Sequence, residues 1–178
     1  MKRILISTLI GLAAITAGCT GTTGTPTPTP TAGSSTPTSD GNAASGLKAM
    51  KPCGLLTDTE AAGFGFKLPG EAGKIGSADT CDWTIPGGGG LNAGFYADKG
   101  VKELNIQGDK VSDITVGKFA ATKAEAQDGS KDTCAIVIAA GEASSVAIIS
   151  TVKVASGDTA AACERASKAA DLIAQKLP

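Results

Sequence analysis

The chain has no histidine among its 178 residues. That removes the Ser-His and Cys-His nucleophile pairs and the commonest metal ligand. Aromatic residues are nearly as scarce: one Trp (Trp83), one Tyr (Tyr96) and four Phe, 3% in all. A core must therefore come mostly from Val, Ile, Leu and Ala, and a small core of that kind is marginal without a staple. An excess of either charge is also missing. The 16 basic and 17 acidic residues leave a net charge of −1, with no electrostatic footprint for nucleic acid and no polybasic membrane patch. The cysteines show no C-x-x-C spacing, so a zinc site is not expected.

The usual phosphate and calcium motifs are absent as well. Gly70-Glu-Ala-Gly73-Lys74 lacks the first glycine of a P-loop, and Gly63-Phe-Gly65 lacks the third glycine of a dinucleotide loop. Asp128-Gly-Ser-Lys-Asp132 lacks the order and terminal Glu of a calcium loop and reads as a turn. Gly87–Gly90 reads as a hairpin turn, and Asp58 with Glu60 reads as helix-start charge. No catalytic residue, metal or cofactor is expected.

What is present begins with an export signal. Lys2 and Arg3 form a positive start, and Ile4 to Ile15 is an apolar run broken by Ser7, Thr8 and Gly11. The run is shorter than the ~20 apolar residues of a spanning helix and suits a signal peptide over residues 1–18. Thr16-Ala17-Gly18-Cys19 resembles a bacterial lipobox, with Thr16 standing where Leu is usual. The resemblance implies that the Cys19 thiol receives a fatty-acylated diacylglycerol and that the chain is cut before it. Two or three acyl chains make a durable anchor. The expected location is the extracytoplasmic face of the cell membrane. Loss of Lys2 and Arg3 leaves 14 basic against 17 acidic residues.

Residues 20–46, TGTTGTPTPTPTAGSSTPTSDGNAASG, carry no apolar period. Such a segment buries too little to offset the entropy of ordering. Alternating Thr-Pro favours extended polyproline II, and full extension would reach roughly 80 Å. Residues 19–46 thus read as a lipidated stalk. Thr and Ser with Pro are also the composition of O-glycosylated stalks, with Thr25, Thr27, Thr29 and Thr31 as the best acceptors.

Residues 47–178 read as one α+β domain. Thr57-Asp-Thr-Glu60 is a capping box and predicts a short helix over 57–63. Cys81, Trp83 and Ile85 alternate with polar residues, as do Leu91, Ala93, Phe95 and Ala97, which predicts a hairpin. Val101 and Leu104 predict a short helix. Ile114 and Val116 begin a strand that continues through Phe119 toward Ala126. Cys134 to Ala140 is apolar on both faces, as in a central strand, and after a turn at 141–144 the next strand runs from Val146 to Val154. Thr159 to Leu177 is the clearest helix, capped by Asp158 or Thr159, with Cys163, Ala166, Ala170, Ile173 and Leu177 in one stripe. Helices at both ends predict a mainly antiparallel sheet with a short N-terminal and a long C-terminal helix packed on it.

With Cys19 lipidated, Cys53, Cys81, Cys134 and Cys163 remain, and an even count in an exported chain reads as disulfides. Of the three pairings, geometry favours the sequential one. Cys134 shares a strand face with Ile136 and Ile138, and Cys163 lies on the final helix's apolar stripe. Cys81 shares a face with Trp83 and meets Cys53 at the start of the first helix.

The ordered elements Pro52-Cys53-Gly-Leu-Leu-Thr-Asp-Thr-Glu60, Cys81-Asp-Trp83, Val116-Gly117, Ala120-Ala121, Cys134-Ala-Ile-Val-Ile and Ala162-Cys163 precede a last helix ending Leu177-Pro178. Together they resemble the actinobacterial lipoprotein family of the domain of unknown function number 3558, over about residues 50–178. The resemblance implies a two-disulfide envelope domain and transfers no activity. The leading expectation is a non-catalytic binding or interaction domain held off the membrane on a stalk. Its partner would be an envelope protein, a lipid or a glycan. The alternatives are an envelope enzyme using carboxylates or a Ser-Lys pair, distinguished by a pocket with two converging carboxylates, and a structural surface antigen.

Overall fold

The structure is a computed structural model that describes residues 46–153 and 157–178. It is an α+β domain built on one seven-stranded sheet, in the order β1-β2-β3-β7-β6-β5-β4. The strands are β1 (Glu71–Ile75), β2 (Ala78–Ile85), β3 (Gly89–Tyr96), β4 (Gly108–Val116), β5 (Phe119–Gln127), β6 (Thr133–Gly141) and β7 (Ser144–Thr151). Every neighbouring pair is antiparallel. Helices α1 (Asp58–Gly63) and α2 (Thr159–Ala174) flank them in sequence.

Period-two alternation decides which side chains meet the helices. In the centre of the sheet, Leu91, Ser150 and Cys134 form one row across β3, β7 and β6. Ala93, Ile148 and Ile136 form the next row, and Phe95, Val146 and Ile138 the third. All nine are buried. Onto this face α2 lays Ala162, Ala166, Ala169, Ala170, Ile173 and Ala174. Five of those six residues are alanine, so the helix backbone can lie close to the sheet. Cys163 sits half-buried at the edge of that stripe rather than in it.

Both disulfides join the expected partners. Cys53–Cys81 has a Cα–Cα distance of 5.0 Å, and Cys134–Cys163 one of 4.9 Å. The second bond fixes α2 to β6. The first fixes the 3₁₀ turn Pro52–Gly54 to β2.

Several boundaries differ from the sequence reading. The segment from Ile114 toward Ala126 is not one strand but a hairpin. β4 ends at Val116, a two-residue turn follows, and β5 starts at Phe119, with Val116 opposite Phe119. Gly117 takes φ +59°, the positive φ that two-residue hairpin turns require. β1 leaves no signal in the sequence, because all five of its residues are exposed and no alternation marks it; only pairing with β2 makes it a strand. The last strand stops at Thr151 rather than reaching Val154, which lies outside the described residues. Val101–Glu103 is a single 3₁₀ turn. The final helix ends at Ala174 instead of continuing to Leu177, which is nevertheless buried. Asp158 is its cap, accepting from the Ala161 N–H, while Thr159 Oγ1 donates to the Lys131 carbonyl.

Candidate functional site

The residues singled out in the sequence lie in several places. Cys19, Thr25, Thr27, Thr29 and Thr31 are outside the described residues. Gly70–Lys74 forms the approach to β1 and most of that strand. Asp128-Gly-Ser-Lys-Asp132 is the turn between β5 and β6, where Asp128 and Gly129 both have positive φ. The Thr57–Glu60 box is where sequence reasoning and a surface feature coincide.

That box is complete. Thr57 Oγ1 accepts from the Glu60 N–H at 3.3 Å, and Glu60 Oε2 accepts from the Thr57 N–H at 2.7 Å and from Thr57 Oγ1 at 2.9 Å. A third donor comes from the far end of the chain. Lys176 Nζ pairs with Glu60 Oε2 and also donates to the Leu55 carbonyl at 2.7 Å. No spacing signal could have found Lys176, which stands 116 residues from Glu60.

Beside this junction, α1 and α2 enclose an open cleft of about 520 Å³, lined by Glu60, Gly63, Phe64, Lys168, Asp171 and Leu172. Phe64 is half-buried and stacks on Phe66, with ring centroids 5.3 Å apart. Leu172 is half-buried opposite, so the floor is apolar while the rim carries both signs of charge. Lys168 also bonds Glu164 at 2.6 Å one turn earlier on α2.

The cleft brings two carboxylates, Glu60 and Asp171, onto one surface. Glu60 is held by structural partners. Burial pushes its carboxyl toward the neutral form, but the Lys176 ammonium and the two Thr57 donors outweigh that and hold it below its ordinary value. A carboxyl so held is ionised near neutral pH. Its donors fix the ends of both helices, which makes it a positioning residue for the cleft wall. The arrangement can hold an apolar group between charges.

The family described as a protein of unknown function (DUF3558) matches residues 14–176. No curated protein and no solved structure matches the chain.

Proposed function

The chain belongs to the family of the domain of unknown function 3558, and from that premise we propose that it is a stalk-borne, lipid-anchored envelope protein whose domain recognises a partner without catalysis. The observation that carries the recognition half is the α1–α2 cleft, with its apolar floor of Phe64 and Leu172 and its charged rim. Its volume falls within the range of ligand sites, and it is open to the surface. A mixed-charge rim around two apolar side chains suits a protein segment that seats one apolar side chain between an acidic and a basic one. The anchor half rests on the Lys2–Cys19 signal, the Thr-Pro tract behind it, and a family match that begins at residue 14 and so takes in Cys19.

The test is photocrosslinking in intact cells from a reactive residue placed at Lys168, compared with one at Ala143 on the β6–β7 turn. The expected result is repeated capture of one envelope protein from the cleft position alone, abolished by Leu172→Asp. Equal capture from both positions, or capture that survives Leu172→Asp, would sink the reading.

A further inference from the structure

The sheet face turned away from the helices is covered in an unusual way. Ala124, Ala135 and Val137 are buried there, with Ala147 and Ile149 partly so. Among the described residues no α-helix covers them. Their cover is the crossover from β3, at the centre of the sheet, to β4 at its far edge. This strap, residues 97–107, is fixed near both ends: Ser145 Oγ donates to the Lys99 carbonyl at 2.8 Å, and the Asp128 N–H donates to the Gln107 carbonyl at 3.3 Å. Between those ends its hydrogen bonds are local, from the Glu103, Leu104 and Ile106 N–H groups to the carbonyls of Gly100, Val101 and Leu104. Leu104 and Ile106 rest on the sheet.

The strap does not fill the space beneath it. On its inner side is a cavity of about 180 Å³, where Leu104 and Ile106 face Ala135, Val137, Ala147 and Ile149. On its outer side is an open groove of about 400 Å³, reaching Val111 and Thr122. Leu104, Asn105 and Ile106 line both. None of the residues lining the inner cavity is an Asp, Glu, Lys or Arg. Tyr96, Asn105 and Gln127 complete its wall, with Gln127 Oε1 buried without a hydrogen-bond partner among the described residues, so the cavity is neutral rather than wholly apolar. Its volume compares with the ~150 Å³ that holds a benzene-sized molecule, and no charge here would require a charged ligand.

We propose that this strap-covered face binds the aliphatic chain of a lipid that is not attached to the protein, with Leu104 and Ile106 closing over it. This goes beyond the cleft reading and uses the opposite side of the sheet, so either can fail while the other stands. A straight chain suits the site because it is neutral and narrow. It can also lie along the strap from the half-open inner cavity toward the open groove, since Leu104, Asn105 and Ile106 line both.

The experiment uses the full chain with Cys19→Ser, which carries no lipid of its own, labelled on Ile, Leu and Val methyls and titrated with straight-chain alcohols from 1-butanol to 1-decanol. The expected result is saturable shifts at the methyls of Leu104, Ile106, Val137 and Ile149. The dissociation constant should fall about fourfold per added methylene until the site is filled and then level off. Ala147→Phe, which fills the inner cavity, should weaken binding at least about tenfold with the other methyl signals in place, a loss of two or three buried methylenes. If that variant loses its methyl dispersion, Ala147→Leu replaces it, with a smaller loss expected. Ile106→Ala should move the plateau to longer alcohols. Shifts that do not saturate, shifts centred on Leu172 instead, or unchanged binding in the folded cavity-filling variant would overturn the proposal.

Discussion

Glu60 shows how much one side chain can connect. Its carboxylate closes the cap of α1, accepts from Thr57, and receives Lys176 from the end of the chain. Because those donors hold its pKa below the ordinary 4.5, its stabilising effect is present above that value and is lost as pH falls through the lowered one. Glu60→Gln keeps the shape but not the charge. It should cost about 1 kcal/mol at pH 7, the usual scale of a cap, and flatten the fall of stability below pH 4.5. Denaturant unfolding of both proteins between pH 3 and 7 measures this; parallel curves across that range would show that the charge contributes nothing. The cap itself was legible, since a Thr-x-x-Glu pattern acts within one turn. Lys176 was not, because only the packing of α2 brings it to Glu60.

At the scale of elements, the strands with buried apolar side chains left a pattern in the sequence and those exposed along most of their length did not. β2, β3, β6 and β7 carry the buried rows, so burial itself wrote their pattern into the sequence. β1 is exposed throughout, and β4 is exposed at most positions before Val116. Their existence depends on hydrogen bonds to a neighbour, which leave no hydrophobic trace. The disulfides were legible from Cys81 and Cys134 on buried strand faces, although Cys53 and Cys163 are only half-buried and Cys163 lies at the edge of its stripe. Each closes a loop of nearly 30 residues, with separations of 28 and 29. Replacing Cys134 and Cys163 together by Ala should lower unfolding free energy by about 3 kcal/mol in the chain-entropy picture, read as a lower denaturant midpoint. The same change at Cys53 and Cys81 should cost a comparable amount. A midpoint unchanged in either double variant would mean that its loop was already confined in the unfolded chain.

For the whole molecule, the anchor and the domain are separate propositions. Cys19 stands apart from the four cysteines that pair with each other. Cys19→Ser should therefore leave the far-UV circular dichroism and both disulfides unchanged while moving the protein from the membrane fraction to the soluble one, or leaving it uncleaved. A variant that stays processed and membrane-bound would remove the lipid anchor from the account.

By itself the sequence determined the class of the domain, the antiparallel pairing of its apolar strands, the long last helix and the partners of four cysteines. All of these follow from local periodicity and capping, which act over a few residues. Tertiary structure alone decided the strand order, with β4 carried to the far edge of the sheet, and with it the strap and the cavity beneath it. It also decided that residues in and next to α1 and α2 line one open cleft. These features join residues 46 to 121 positions apart, and no pattern read along the chain encodes which distant faces will meet.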